Sequence, residues 1–139
     1  MREIKFRAWH KNWGSFANLT EDSDFMAGFN EEGQIYIINN GYPDEKNRDF
    51  IIQQFTGFRD SKGKEIYEGD FLQFNNDSSV VRLVVFHQPI GGFGLKYEEK
   101  PERILPIIVP LTIERVLAYE IVGNKFENPE LLEVKNGNS

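Results

Sequence analysis

QFTGFRDSKGKEIYEGD, residues 54–70, reads as two short strands joined by a tight turn, with a second turn behind them. In Asp60-Ser61-Lys62-Gly63 the aspartate stands where its carboxylate can accept the turn amides, and Gly63 stands where the chain must take a positive φ. That is the pattern of a type I turn closing into a G1 bulge. The chain then runs extended through Lys64, Glu65, Ile66 and Tyr67 and turns again at Glu68-Gly69-Asp70. A hairpin of this kind organises a small barrel, because its turn fixes the register of the strands on either side. The stretch also holds the densest group of acids, Asp60, Glu65, Glu68 and Asp70, around which a metal-dependent nuclease is one reading. The competing reading gives Asp60 and Asp70 to their turns and lets Glu65 and Glu68 alternate with the core residues Ile66 and Tyr67. No His or Cys joins these carboxylates, so the structural reading is preferred.

Working outward, residues 50–59 form the strand that leads into the hairpin, with Phe50, Ile52 and Phe58 on one side and Ile51 and Phe55 on the other. Apolar residues on both faces fit a strand covered twice or one that coils through a barrel. Residues 71–74 read as the next strand, 75–79 as a polar turn, and VVRLVVFH, residues 80–87, as a central core strand interrupted only by Arg82. The loop QPIGGFG, residues 88–94, resembles a phosphate loop superficially. It lacks the following helix and the Gly-Lys-Ser/Thr ending, so it is read as a flexible hairpin connection in which Phe93 is a mobile aromatic able to clamp a partner. ILPIIVPL, residues 104–111, is apolar but carries Pro106 and Pro110, which makes it an extended edge or packed loop. Its sharper alternative is a surface completed by another subunit. Residues 112–119 fit a strand or a short helical turn, residues 120–123 a closing strand. Asn128 and Pro129 mark the N-cap and first position of a short helix.

Toward the amino terminus, MREIKFRAW alternates with period two, placing Ile4, Phe6 and Ala8 on one face and Glu3, Lys5, Arg7 and Trp9 on the other. Together with Arg2 and Lys11, the basic face offers a phosphate-binding stripe with a stacking platform; the plainer reading is a solvated strand face. Residues 10–14 are a turn, and 15–19 return as a short strand. TEDSD, residues 20–24, invites a calcium reading but lacks the loop ligand pattern and distal Glu. Residues 25–29 are too short to assign, 30–33 form a turn, and 34–38 a strand. Residues 39–49, NNGYPDEKNRD, read as a polar surface loop, either functional or merely flexible. Within a single domain spanning residues 1–139, this loop divides N-terminal strands, 1–49, from a barrel, 50–134.

The totals bound the function. The chain has 139 residues, enough for one domain with its own core, and no cysteine, which excludes disulfides, thiolate zinc sites and cysteine nucleophiles. The charged amino terminus lacks a secretory apolar core, and no apolar run approaches the roughly 18 residues of a membrane span. A soluble, cytoplasmic protein without a membrane partner is expected. The 12 Phe and the many Ile and Val favour a β-dominated fold. Net charge is −6, with four bases against one acid in residues 1–19 and eight acids against two bases in residues 20–49. That balance argues against generic duplex binding, leaving only a local patch of Arg2, Lys5, Arg7 and Lys11 for a nucleic-acid-binding alternative. His10 and His87 are the only histidines. No convergent set of nucleophile, base and electrophile stabiliser is visible, so no catalytic, cofactor-binding or metal residue is assigned and a non-enzyme is expected. A binding module for a protein partner, or a homo-oligomer packing through residues 104–111, is the stronger class.

Three separated blocks, MREIKFRAW (1–9), QFTGFRDSKGKEIYEGD (54–70) and EIVGNKFENPELLE (120–133), resemble the signature blocks of the YopX family, in the family's order. His10 departs from the acidic residue expected after the first block. The resemblance implies a phage- or prophage-encoded accessory protein of the cytoplasm of Gram-positive hosts. It also implies a mainly β fold: a small SH3-like barrel with additional N-terminal strands and a short C-terminal helical turn. It supplies no catalytic residue.

Overall fold

The computed structural model describes residues 3–19, 25–44, 49–97 and 107–132, and its fold is mainly β, with every strand pair antiparallel. The chain divides into two units, Ile4–Gln54 and Phe55–Ser139 with Met1–Glu3.

In the first unit, β1 (Phe6–His10) lies between β2 (Ser15–Ala17) and the first half of β6 (Phe50–Arg59), with Ala8 opposite both Ala17 and Ile52. The alternation read from the sequence extends one residue further than expected: His10 belongs to the strand and is buried. Its Nδ1 accepts the amides of Asn12 and Trp13, at 3.2 and 3.1 Å, and its ring stacks on Trp13 with centroids 3.7 Å apart. A meander follows: β3 (Phe25–Phe29), β4 (Ile35–Asn39) and β5 (Tyr42–Asp44). Residues 25–29, too short to assign from pattern alone, are thus a strand. The Asn30 side chain organises the β3–β4 turn by accepting the amides of Glu32 and Gln34. Residues 39–49 begin as a hairpin rather than as a loop. Asn40 and Gly41 take φ of 49° and 82°, the two-residue turn that Asn-Gly favours between strands. Ala8, Ile37 and Phe50 form the core, joined by Phe25, whose ring meets Phe50 edge-on at 5.8 Å.

In the second unit, β7 (Glu65–Tyr67) pairs with the end of β6. A five-stranded sheet is then built from β8 (Asp70–Phe74), β9 (Asp77–His87), β10 (Gly92–Lys96), β11 (Ile108–Pro110) and β12 (Tyr119–Asn124), in the order β11-β10-β9-β8-β12. Register shifts between Gln73 and Phe74, and between Ile121 and Gly123, bend these strands as bulges do. Ile66, Leu72, Val84, Leu95, Leu111, Val116 and Tyr119 form the core.

The 60–63 turn has the expected form. Gly63 has φ 82° and donates to the Asp60 carbonyl, while Asp60 Oδ1 accepts the Lys62 and Lys64 amides, each at 2.9 Å. It also reaches across the sequence. Asp60 Oδ2 accepts the Ile121 amide at 2.9 Å, and the Ser61 amide donates to the Tyr119 carbonyl at 2.9 Å, so the turn seals the outer edge of β12.

Two expectations change here, and one open alternative is resolved. The polar turn at 75–79 is shorter, because β9 begins at Asp77, whose carboxylate accepts the amide and hydroxyl of Ser79; these bonds hold its pKa below the ordinary aspartate value. Residues 92–94 are not a flexible connection. They are strand, with Phe93 opposite Phe86 and Gly94 opposite Val85. A Cβ on Gly94 would stand 2.6 Å from Ile108 Cγ2 and 2.8 Å from the Val109 carbonyl oxygen, so β11 can approach only a glycine here. Residues 112–119 resolve into a short helix, α1 (Ile113–Val116), capped by the Thr112 hydroxyl, followed by the start of β12. The Asn128 side chain looks backward: its Oδ1 accepts the Asn124 amide at 3.2 Å, while Asn124, itself buried, accepts the Phe126 and Glu127 amides.

Candidate functional site

The acidic group of the opening hairpin is taken up by the fold. Asp60 and Asp70 are almost fully buried; the first serves three amides, and Asp70 Oδ2 accepts the Tyr67 amide at 2.8 Å. Glu65 pairs with Arg59 at 3.4 Å on the two arms of the hairpin. Among the described residues, no three His, Cys, Asp or Glu side chains gather as a metal ion would require. The acidic 20–24 segment, the charged 98–103 segment, Pro106 and Arg2 lie outside the described residues. The two histidines belong to different units: His10 caps a turn, and His87 ends β9 opposite Gly92.

The basic face of β1 is also partly engaged. Arg7 Nε donates to Gln53 Oε1 at 2.8 Å, and Gln53 is buried. The Arg7 guanidinium lies 4.6 Å from the centre of the Phe16 ring, which Trp9 meets edge-on at 5.1 Å. A cation spread over a neighbouring ring and bonded to a buried amide is built into its own sheet. Lys11, in the exposed turn, is the more accessible cation of the pair.

Residues 104–111 were expected to provide an edge, and the described part of this segment does: β11 is the terminal strand of its sheet. The Leu111 amide bonds the Phe93 carbonyl and the Tyr97 amide the Ile107 carbonyl, so Ile108 and Pro110 turn their backbone outward. Pro110 has no N–H to offer, and its carbonyl accepts from the Arg115 guanidinium. This edge is blunted rather than presented.

Among the described residues of the second unit, large apolar side chains are exposed on α1 and just after it, at Ile113 and Leu117, and at the end of the β9–β10 hairpin, where an aromatic one is held out. Phe86 follows Val84 on the core side of β9, beyond the point where the core covers that face, and is 52% exposed. Its ring meets Phe93 edge-on at 5.3 Å, and Phe93 in turn packs on the core cluster. Ile90, 43% exposed, sits in the 3-10 turn Gln88–Ile90 between the two strands. Phe93 therefore acts as a fixed support for Phe86, not as a mobile clamp. Phe86 escaped the sequence reading because VVRLVVFH looks uniformly core-like; the signal was its place as the last apolar residue before the turn.

Comparisons with known proteins support the same architecture. The family model described as YopX protein matches residues 5–133. The crystal structure of protein EF1440 from Enterococcus faecalis superposes with a TM-score of 0.61 at 24% identity, over 95% of this chain and 99% of that one. The crystal structure of protein yopX from Bacillus subtilis superposes with a TM-score of 0.58 at 16% identity, over 95% of this chain and 97% of that one. At such identities the likeness speaks for the fold alone. No curated protein matches the chain.

Proposed function

The chain belongs to the YopX family, and from that premise we propose that it is a non-catalytic β-module that binds protein, either a separate partner or a second copy of itself. Its second unit is read as an SH3-like barrel, closed by the 60–63 turn against β12. The short helical turn after Asn128 is supported by bonds from Leu131 to Asn128 and from Leu132 to Pro129. The family resemblance and the cysteine-free sequence favour a phage- or prophage-encoded accessory protein acting in a reducing host cytoplasm.

The observation that carries the binding reading is Phe86, an aromatic side chain held half in water by a buttress, Phe93, that is itself anchored in the core. Preorganised aromatic side chains cost little entropy to immobilise and dominate the energetics of protein recognition. The test is affinity capture from phage-infected cells with the wild-type chain and the Phe86→Asp variant as paired baits. A protein retained by the first and lost by the second, with thermal midpoints within a few degrees, supports the reading. Identical capture profiles would remove Phe86 from it. A nucleic-acid-binding role along β1 is the weaker reading, because Arg7 has internal partners to surrender first.

A further inference from the structure

Arg82 is the one charge within VVRLVVFH, and it stands on the core face of β9 rather than the outer one. Val84, two residues on and therefore on the same face, is buried in the core, and Arg82 lies opposite Leu72, which is fully buried. Lys96 pairs with Leu83, so Tyr97 falls beside Arg82 at the end of β10. The row of side chains on this face thus runs from Phe86 and Phe93 at one end, through the buried Val84 and Leu95, to Arg82 and Tyr97 at the other. The two ends are ~13 Å apart along the strand.

Two tyrosines fix the guanidinium of this half-buried side chain. Its Cζ lies 3.5 Å from the centre of the Tyr97 ring, and its Nε donates to Tyr119 Oη at 3.3 Å. Tyr119 is a core residue and Tyr97 packs against the core, so the plane of the cation and the direction of its fork are set by the fold. No acid shares it. Among the described residues no carboxylate stands within ion-pair distance of Arg82, and its only hydrogen bond is the one from Nε. No buried side-chain nitrogen among the described residues lacks a partner, so Nη1 and Nη2, which have none, reach the surface. Arg59 and Arg115, in contrast, direct fork nitrogens to Glu65 and to the Pro110 carbonyl.

We propose that Arg82 is a recognition point for a peptide carboxylate, an Asp or Glu side chain or a chain terminus, carried by a protein partner. The outer edge of the fork presents two parallel N–H groups, which match the two oxygens of a carboxylate. Because the tyrosines already hold the side chain, little ordering is left to do on binding. Apolar groups next to the carboxylate have a surface to lie on. Phe74, whose ring lies 5.4 Å from that of Tyr119, and Ile121, in line with Leu72 and Arg82 across the sheet, are half-buried and packed on the same core. The net charge of −6 opposes a phosphate dianion about twice as strongly as a carboxylate, which selects between the two anions. This site gives a chemistry to the protein-binding reading without using the Phe86 surface, from which the buried Val84 and Leu95 separate it.

Proton–nitrogen NMR of the full chain at constant ionic strength tests this through the Arg82 Nε–H signal, assigned by its disappearance in Arg82→Lys. The probes are N-acetylphenylalanine for a terminal carboxylate, N-acetylglutamic acid α-amide for a side-chain one, N-acetylphenylalanine amide as the neutral control, and inorganic phosphate. The expected result is a saturable shift with one or both carboxylates and none with the amide; the tighter carboxylate identifies the source. Arg82→Lys, followed through the backbone amides of Leu83 and Lys96, should bind about tenfold more weakly, as the loss of one charge-assisted hydrogen bond requires. If that variant does not fold, Tyr119→Phe, which frees the fork, should weaken the same titration. Absence of any shift in the wild type overturns the proposal, as do tighter binding of phosphate and undiminished binding by the variant that folds. Glu98→Gln and Glu99→Gln together supply a further check: a shift of the Nε–H signal without any probe would give Arg82 to the chain's own acidic segment and overturn it too. Phe86→Asp should leave the titration unchanged, so capture through Phe86 and recognition at Arg82 stand or fall separately.

Discussion

Asp60 shows how much one carboxylate can hold. Buried to 3% exposure, it accepts the amides of Lys62 and Lys64 within its own turn and that of Ile121, 61 residues away. The first two bonds shape the hairpin and the third ties it to β12. Substituting alanine leaves the part-buried Ile121 amide without its acceptor and removes two turn bonds to a carboxylate, at a cost of about 2–3 kcal/mol. Asn keeps one acceptor oxygen at the same position, so Asp60→Asn should lose less than Asp60→Ala. Urea denaturation followed by circular dichroism should rank the midpoints wild type, Asn, Ala, with an unchanged slope. An alanine variant matching wild type would mean that water replaces all three bonds. His10 follows the same logic on a smaller scale, its imidazole nitrogen taking two turn amides where an acidic residue was expected from the family pattern.

Single elements were legible in proportion to how local their causes are. The 60–63 turn and β6 follow from Asp and Gly placement and from β-branched and aromatic runs, and both fall where the sequence puts them. β3 was missed because Phe-Met-Ala-Gly-Phe shows no alternation of polar and apolar residues; its pairing with β4 defines it. β10 was misread for a related reason. Its glycines suggest mobility, yet Gly94 is the price of letting β11 come close. Gly94→Ala should therefore cost about 1–3 kcal/mol through overpacking, and the loss should appear first at β11. Hydrogen exchange should show the Tyr97 and Leu111 amides, which bridge β10 and β11, exchanging faster in the variant while amides of β8 and β12 keep their protection. Uniform loss across the second unit would point to global destabilisation instead.

At the scale of the molecule, the candidate surface was the least legible feature, because exposure belongs to the folded arrangement and not to any residue type. Phe86 is chemically the same as the core Phe71, and only its place past the end of the core leaves it in water. Charge, in contrast, is fixed by composition before folding. A net charge of −6 repels a polyanion at long range, and screening acts on attraction and repulsion alike. The basic amino-terminal strand would have to overcome that field with Lys5, Arg7 and Lys11, of which Arg7 is bonded to Gln53 and stacked on Phe16. The whole chain should therefore leave single- and double-stranded probes unshifted in electrophoresis at moderate salt, and Arg7→Ala should change nothing in that assay. A shift at low salt that weakens as salt rises, and that Arg7→Ala abolishes, would show that the local patch outweighs the net charge and would move the function to β1.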